Sequence, residues 1–192
     1  GGGHELAPRA RARAPAPRRA RRADPRAHRA SLGAVRALNL TGVKAAIVES
    51  YGARPRLHDD WSEPSGDGER QVLAVRAAGL NPVDLHIASG RFYAGAPPTP
   101  YVPGREGVVE LPDGRPAWSD QLDQRFGSLA ERTLVDPALT VPLPRGVGEA
   151  QALCFGIAGI AAWCALEQRA RLRPGERVLV LGAGGLVGQI GR

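Results

Sequence analysis

Glycines recur every third residue near the end of the chain, within residues 177–192, which read RVLVLGAGGLVGQIGR. Gly182, Gly185 and Gly188 follow an apolar run, residues 178–181, and precede a second apolar segment. This spacing is typical of a strand, a tight turn and a helix whose free N–H groups bind a pyrophosphate. Glycines also serve ordinary strand-to-helix turns, so the spacing alone leaves a nucleotide site and a plain turn both open.

The glycine pattern also fits a variant of the dinucleotide fingerprint, A-x-G-x-x-G, whose fixed positions are Ala183, Gly185 and Gly188. Turn residues at 173–176, directly before the apolar run, strengthen the strand prediction. A dinucleotide bound here would lay its phosphates on the turn and on the first residues of the helix. The predicted cofactor-binding residues are Gly182, Ala183, Gly184, Gly185, Leu186, Val187 and Gly188.

Positive charge is concentrated at the start of the chain, in residues 1–42. This segment has ten arginines against Glu5 and Asp24, whereas the remaining residues carry 16 basic and 17 acidic side chains. It is rich in Arg, Ala, Pro and Gly, so it cannot bury enough apolar surface to offset the entropy of ordering. The sequence therefore predicts a disordered tail over residues 1–42.

Other interpretations of the tail stay open beside that one. An arginine-rich arm can bind nucleic acid, but the tail lacks interleaved aromatic residues and adjoins no basic domain, which argues against a nucleic-acid partner. No apolar segment follows the paired arginines, so an export signal is not indicated, and a transit peptide is usually richer in serine. We favour translation of a GC-rich gene from too far upstream, with Val43 as the read-through of a GTG start codon.

No stretch is expected to approach the ~20 apolar residues of a membrane span. This predicts a soluble, cytoplasmic protein without a membrane partner. Cys154 and Cys164 lie in one Ala-rich segment, where we expect buried free thiols rather than a disulfide or a metal site.

Short apolar runs separated by turn residues predict a β-rich part between residues 43 and 146. A polar loop is predicted over residues 55–68 and one or two helical turns over residues 83–89, while Pro112, Asp113 and Gly114 indicate a hairpin turn. This spacing favours a compact β-barrel. The predicted strands are residues 44–48, 71–77, 108–111, 115–118, 128–135 and 140–143.

After residue 146 the composition changes to an Ala-rich apolar segment, residues 149–170. Leu153 and Ile157 fall at helical intervals, which predicts one or two helices interrupted near Gly156 or Gly159. These helices would pack the β-rich part against the glycine turn. A β domain, then helices, then a dinucleotide turn is the order of a two-domain oxidoreductase with its cleft between the domains.

Several segments together carry a family resemblance. They read KAAIV from Lys44, AAGLNPVDLHIASG from Ala77, PGREG from Pro103, FGSLAERTLV from Phe126 and GERVLVLGAGGLVGQ from Gly175. In this order and at these intervals, the chain from about residue 43 onward resembles the medium-chain dehydrogenase/reductase superfamily, near its zinc-free quinone oxidoreductase-like members.

The resemblance implies a fold and an activity. The fold would be a GroES-like, partly open β-barrel over residues 43–146, followed by linking helices and the first strand and helix of a truncated Rossmann domain over residues 147–192. The cofactor would be NADPH, with NADH as the alternative, and the reaction would be hydride transfer to a quinone or an α,β-unsaturated carbonyl. For the full-length parent the resemblance implies a homodimer.

The resemblance implies that no metal takes part. Zinc-dependent relatives place Cys, His and a further Cys or Asp around the ion, whereas the aligned positions here are Asn81, Arg105 and Ile157, none of which is a zinc ligand. The four closely spaced cysteines of a structural zinc site are also missing, because the chain has two cysteines.

Four residues are candidates for the chemistry and the substrate cleft. Asn81 matches the asparagine of the zinc-free members and is the expected hydrogen-bond donor to the substrate carbonyl. His86 matches a proton-relay position of zinc-dependent relatives, with a surface or packing role as the alternative. Tyr93 and Trp163 are expected to wall the substrate cleft, with the core as the alternative.

Two acidic residues are expected to be structural. Asp84 would cap the short helix or order its loop. Glu106 stands where the family has its Gly-x-Glu, and its expected task is to support the fold.

The implied nucleotide-binding domain is represented here by one strand and part of one helix. The residue that reads the cofactor ribose lies ~20 residues beyond the glycines, so the chain would be a truncated and inactive piece of an oxidoreductase. Whether the truncation and the basic tail are biological or arise from the gene model stays open. The alternative function is a non-catalytic GroES-like binding or assembly module.

Overall fold

The computed structural model describes residues 42–192. The predicted disordered tail, apart from its last residue, lies outside the described residues. The described part is a mixed α/β structure in which antiparallel strands come first and helices follow.

The elements of this part are named in chain order. The strands are β1 (Gly42–Ile47), β2 (Arg56–Ser62), β3 (Gln71–Gly79), β4 (Glu106–Glu110), β5 (Pro116–Ser119), β6 (Arg132–Val135) and β7 (Val141–Pro142). The α-helices are α1 (Pro82–Ala88), α2 (Glu149–Phe155), α3 (Ile157–Trp163) and α4 (Leu186–Ile190). A 3-10 turn spans Pro137–Leu139, and a π-helical stretch spans Cys164–Ala170.

The strands form two antiparallel sheets. β1 pairs with β2, and the larger sheet has the strand order β6-β3-β4-β5-β7. Isolated bridges from Ala45 to Ala130 and from Val48 to Tyr101 connect β1 to the segments around the larger sheet. The two sheets are therefore tied together through β1.

The hairpin predicted at residues 112–114 is confirmed between β4 and β5. Glu110 pairs with Pro116 at the end of the ladder, and the Leu111 backbone closes the turn by donating to the Arg115 carbonyl at 2.9 Å. The Gly114 N–H donates back to the Leu111 carbonyl at 2.8 Å, and Gly114 has a φ of 80°. Glycine adopts that left-handed conformation without steric strain.

Strand β2 replaces half of the polar loop that was predicted over residues 55–68. Its sequence, RLHDDWS, is polar, and its side chains are largely exposed, with His58 and Trp61 partly buried. The strand forms because its backbone pairs with that of β1, with Ala46 opposite Leu57 and Ile47 opposite Arg56. The prediction was wrong because composition alone does not reveal pairing with a distant strand.

Apolar side chains of the β-rich part form three buried clusters. The first is Leu73, Val109, Leu122 and Val135, and the second is Ala45, Ile47 and Val102. The third, Val48, Ile87 and Tyr101, packs helix α1 against the end of β1. This third cluster fixes the position of α1 and hence of Asn81, which directly precedes it.

The Ala-rich segment is helical and breaks at Gly156, as predicted. Gly156 has φ −57° and ψ −115°, outside the helical region, and separates α2 from α3. The whole helical stretch Glu149–Ala170 is, at 22 residues, long and apolar enough to cross a membrane by length and composition. The expectation that no stretch approaches such a span is therefore wrong, although a core helix of a soluble protein meets the same two criteria.

Residues 178–181 do not form the predicted strand. They belong to no ladder in the part of the chain that the structure describes, Leu181 already lies in the turn, and Leu179 and Leu181 are 84% and 85% exposed. A buried parallel strand needs neighbours on both sides, and no neighbouring strand lies beside this segment within residues 42–192. The glycine turn and helix α4 follow it in the predicted order.

Candidate functional site

A cleft of about 490 Å³ lies between the start of α1, helix α3 and the glycine turn. Its walls are mostly apolar, and the polar side chain among its lining residues is that of Asn81. The cleft thus brings together two features that are about 100 residues apart in the sequence. Its lining includes Asn81, Val83, Ile157, Ala162, Gly182, Gly185, Leu186, Val187 and Gly188.

The glycine turn brings its backbone into close contact with the start of α4. Gly182 has a φ of 75°, and its carbonyl accepts the Gly185 N–H at 2.9 Å. A Cβ on Gly188 would lie 2.5 Å from the Gly182 oxygen and 2.7 Å from the Ala183 Cα, whereas one on Gly184 would meet nothing within 4 Å. Gly188 is therefore required by the packing of α4 on the turn, and Gly184 is not.

Five of the seven predicted cofactor-binding residues line this cleft. They are Gly182, Gly185, Leu186, Val187 and Gly188. Ala183 and Gly184 belong to the same turn without being among the lining residues. The Gly184 carbonyl accepts the Gln189 side-chain N–H at 2.8 Å, which ties the turn to α4.

Asn81 is held by hydrogen bonds on both its backbone and its side chain. Its backbone N–H donates to Asp84 Oδ2 at 2.7 Å, and the Asp84 N–H donates to the Asn81 carbonyl at 3.0 Å. Its side-chain Nδ2 donates to Glu106 Oε1 at 2.6 Å. Asn81 is thus the N-cap of α1, and its amide is bound to a carboxylate on β4.

Glu106 is a buried carboxylate that contacts Asn81, with 1% of its surface exposed. Besides Asn81, it accepts the Trp118 indole N–H at 2.9 Å and the Ile157 backbone N–H at 3.0 Å, both on Oε2. Each oxygen therefore has a protein donor, as a buried charge requires. Sequence reasoning missed this contact to Asn81, and the available signal was an acidic residue at the start of the apolar strand β4.

Asp84 orders the loop beside Asn81, in agreement with its expected structural role. It is 2% exposed, and its Oδ1 accepts the Arg105 backbone N–H at 2.9 Å. Burial raises the pKa of Asp84, and the bonds from the Asn81 and Arg105 backbones oppose that rise.

Three predicted residues lie away from the lining of this cleft. His86 is exposed, and its backbone carbonyl accepts the Ser89 hydroxyl at 2.8 Å. Tyr93 is 94% exposed and packs on Phe92 with ring centroids 4.6 Å apart. Trp163 is 61% exposed and lines a separate apolar groove with Phe155. Their roles in catalysis and substrate binding stay predictions.

The aligned zinc positions are separated by the structure. Asn81 and Ile157 line the cleft, whereas Arg105 lines a smaller cavity of about 70 Å³ beside Asp84 and Tyr101. Within residues 42–192, no group of three His, Cys, Asp or Glu side chains comes close enough to hold a metal ion.

The two cysteines are free thiols, as predicted. Cys154 is exposed and Cys164 is partly buried, so the expectation that both are buried is wrong. Phe155 and Trp163, on the same helical segment, are exposed as well.

Comparisons with known proteins place the chain among oxidoreductases. The rat quinone oxidoreductase is 37% identical over 142 residues, which are 69% of this chain and 43% of that protein. The tomato 2-methylene-furan-3-one reductase is 33% identical over 166 residues, 77% of this chain and 42% of that protein. No family model matches the chain.

A solved structure agrees with these relatives. The quinone oxidoreductase of Thermus thermophilus, whose complex with NADPH is also known, superimposes with a TM-score of 0.67 at 35% identity, over 77% of this chain and 48% of that one. The chain spans less than half the length of these relatives. Over the part that it shares with them, the chain belongs to the medium-chain dehydrogenase/reductase superfamily, among its zinc-free quinone oxidoreductase-like members.

Proposed function

We propose that this chain forms part of an NADPH-dependent, zinc-independent oxidoreductase that transfers hydride to a quinone or an α,β-unsaturated carbonyl. The observation that carries the proposal is the shared cleft, which has the glycine turn on one side and Asn81 on the other. The matched relatives support the substrate class, since they are named quinone oxidoreductase and 2-methylene-furan-3-one reductase.

The finer description of the fold belongs to this proposal. Residues 43–146 would be a GroES-like, partly open barrel built on the two antiparallel sheets. Residues 147–192 would be linking helices and the first strand-and-helix unit of a Rossmann domain. The apolar residues 178–181, followed by the glycine turn and α4, support this assignment.

The glycine turn fits the pyrophosphate of NADPH. The absence of side chains at Gly182 and Gly185 lets a phosphate approach the backbone, and the close packing at Gly188 holds α4 against the turn. Phosphates would bind the N–H groups at residues 182–188, and NADH is the alternative cofactor. When bound, the cofactor would supply the hydride.

Asn81 would bind the carbonyl oxygen of the substrate. One N–H of its amide is held by Glu106, so the second N–H is the donor available to the cleft. A fixed donor aimed at an oxygen that gains negative charge stabilises the transition state without reorganising. His86 would pass a proton from solvent, and Tyr93 and Trp163 would contact the substrate in the assembled enzyme.

We propose further that the 192 residues alone are inactive. Leu179 and Leu181 project from an unpaired segment, and the contacts to adenosine in such folds come from later strands. The complete enzyme would be a cytoplasmic homodimer.

The test is NADPH oxidation by a chimera in which this chain is joined to the second half of the Thermus thermophilus quinone oxidoreductase. Gly188→Ala should abolish most turnover with a quinone because the added methyl group displaces the turn. Gly159→Ala is the control and should retain turnover, since Gly159 lies outside the turn and its methyl group would make an ordinary contact at 3.4 Å with Phe155. Equal activity of the two variants would contradict the assignment of the turn.

The second candidate function is a non-catalytic binding or assembly module. The exposed apolar side chains of Phe155, Ile160 and Trp163 favour it, because such surfaces mark protein contacts. A chimera that folds but does not oxidise NADPH would support this candidate.

A further inference from the structure

We propose that Glu106 is a positioning residue that sets the direction of the Asn81 amide in the cleft. The role of this amide orientation in catalysis rests on the proposed function. The contacts themselves belong to this chain alone and can be tested without a cofactor or substrate.

The hydrogen bonds of Glu106 determine which end of the Asn81 amide faces it. The side chain of Glu106 is 1% exposed, and its Oε2 is already shared by Trp118 Nε1 and the Ile157 N–H. Its Oε1 meets the Asn81 amide at 2.6 Å. A carboxylate accepts and does not donate, so the end of the Asn81 amide that faces it must be the NH₂ group.

Two glycines let neighbouring elements pack closely around the Glu106 side chain. A Cβ on Gly79 would lie 2.6 Å from Glu106 Cγ, and a Cβ on Gly156 would lie 2.5 Å from Trp118 Nε1. The two glycines thus bring β3 and the start of α3 against this side chain. Because these neighbours surround Glu106 closely, its side chain keeps one orientation. The Asn81 amide that is bonded to it therefore keeps one orientation as well.

A neutral residue at position 106 should reverse the Asn81 amide. In Glu106→Gln, the one remaining oxygen must serve the two donors Trp118 and Ile157, since both keep their N–H groups. The new NH₂ group then faces Asn81, whose amide must turn to present its own oxygen. The Asn81 amide would consequently offer the cleft an acceptor oxygen in place of an N–H donor.

Side-chain amide NMR measures this reversal directly. The chain has two asparagines, Asn39 and Asn81, so selective ¹⁵N labelling gives two NH₂ pairs, which Asn39→Gln assigns. In the wild-type chain, the two protons of Asn81 should differ widely in chemical shift, because one of them is bound to a carboxylate. In Glu106→Gln that difference should be lost while the Trp118 indole resonance keeps its hydrogen-bonded shift.

An Asn81 pair that is unchanged in Glu106→Gln would overturn the proposal. The Trp118 resonance separates this result from general unfolding, since the indole N–H contacts the same side chain. A purely structural Glu106 would alter the indole and the Asn81 pair together or leave both unchanged.

If Glu106→Gln does not fold, a rescue experiment tests the positioning role of Glu106 instead. Asn81→Asp places two carboxylates together and should lower the melting temperature. The double variant Asn81→Asp with Glu106→Gln restores a donor between the two positions and should recover most of that loss. Absence of recovery would overturn the proposal.

These measurements are independent of the proposed function. If the chimera fails to oxidise NADPH but the amide reverses as described, then the proposed function fails and the positioning role of Glu106 stands. If the chimera is active and the Asn81 amide does not respond to the substitution at residue 106, then the proposed function stands and the positioning role of Glu106 fails.

Discussion

At the scale of single residues, two tyrosines near α1 provide a matched comparison. The Tyr101 hydroxyl is buried and has no hydrogen-bond partner among the residues that the structure describes, and burial raises its pKa to about 12. The Tyr51 hydroxyl instead donates to the Pro97 carbonyl at 2.7 Å. The two hydroxyls should therefore contribute to stability with opposite signs.

We expect Tyr101→Phe to leave the free energy of unfolding unchanged or to raise it by up to ~1 kcal/mol, because it removes an unsatisfied buried group. Tyr51→Phe should lower it by ~1 kcal/mol through the lost hydrogen bond. Urea unfolding of both variants and the wild-type chain gives the comparison. A larger loss for Tyr101→Phe than for Tyr51→Phe would show that the Tyr101 hydroxyl has a partner.

Asp84 provides a prediction about pH. Burial raises its pKa above the ordinary value of 3.8, so the folded chain binds this proton more tightly than the unfolded chain. The contribution of Asp84 to the free energy of unfolding is therefore fully present when the pH lies below the ordinary pKa. It is lost as the pH rises through the raised pKa of the folded chain.

Asp84→Asn removes that titration and leaves one backbone N–H, from Asn81 or Arg105, facing an NH₂ group. We expect the variant to be less stable by ~1–3 kcal/mol, with a deficit that is larger at about pH 4 than at about pH 7. Unfolding curves at several pH values check both expectations. A deficit that grows towards neutral pH would mean that the pKa of Asp84 is lowered.

At the scale of elements, the break between α2 and α3 depends on Gly156. A side chain there would collide with Glu106 and with Trp118 Nε1, the latter at 2.5 Å. Gly159, three residues further on, would place its Cβ at 3.4 Å from Phe155, an ordinary contact.

We expect Gly156→Ala to destabilise the chain by ~1–3 kcal/mol, the usual result of overpacking. Gly159→Ala should be neutral or stabilising by up to ~1 kcal/mol, because alanine favours a helix interior. Thermal or urea unfolding distinguishes the two. Equal destabilisation by both substitutions would show that helix contacts, and not the Glu106 pocket, determine the effect.

Elements defined by nearby residues were predictable from the sequence. The Pro112–Gly114 turn defines its hairpin, and Pro82 after Asn81 marks the start of α1, because the turn and the cap depend on residues within a few positions. Strand β2 and the unpaired residues 178–181 were not predictable, because both depend on whether a distant strand lies beside them.

The site was predictable in its parts and not in its arrangement. The glycine spacing and Asn81 were identified from local motifs and from the family resemblance. The bond from Asn81 to Glu106 spans 25 residues, and that from Ile157 to Glu106 spans 51. Such contacts follow from the packing of β4, α1 and α3, which no local pattern contains.

At the scale of the whole molecule, exposed apolar residues near the glycine turn predict self-association. Leu179 and Leu181 are almost fully exposed on a segment that pairs with no strand in the described residues, and exposed apolar surfaces of this kind favour association between chains. We expect the 192-residue chain to sediment as dimers or larger species.

The double variant Leu179→Asp with Leu181→Asp should shift the chain towards monomer in sedimentation velocity. Leu57→Asp is the control, since Leu57 is also exposed but lies on the paired strand β2. A monomeric wild-type chain, or an equal shift by the control, would contradict this prediction.

We expect the cleft between Asn81 and the glycine turn to bind NADPH once further strands complete it. NADPH fluorescence titrations of the 192-residue chain and of its chimera with the Thermus thermophilus second half measure this binding. The chimera should bind in the micromolar range, and the short chain should bind about 100-fold more weakly, because two or more hydrogen bonds of ~1.5 kcal/mol each are missing. Micromolar binding by the short chain would contradict the need for further strands, and no binding by a folded chimera would contradict the assignment of the cleft.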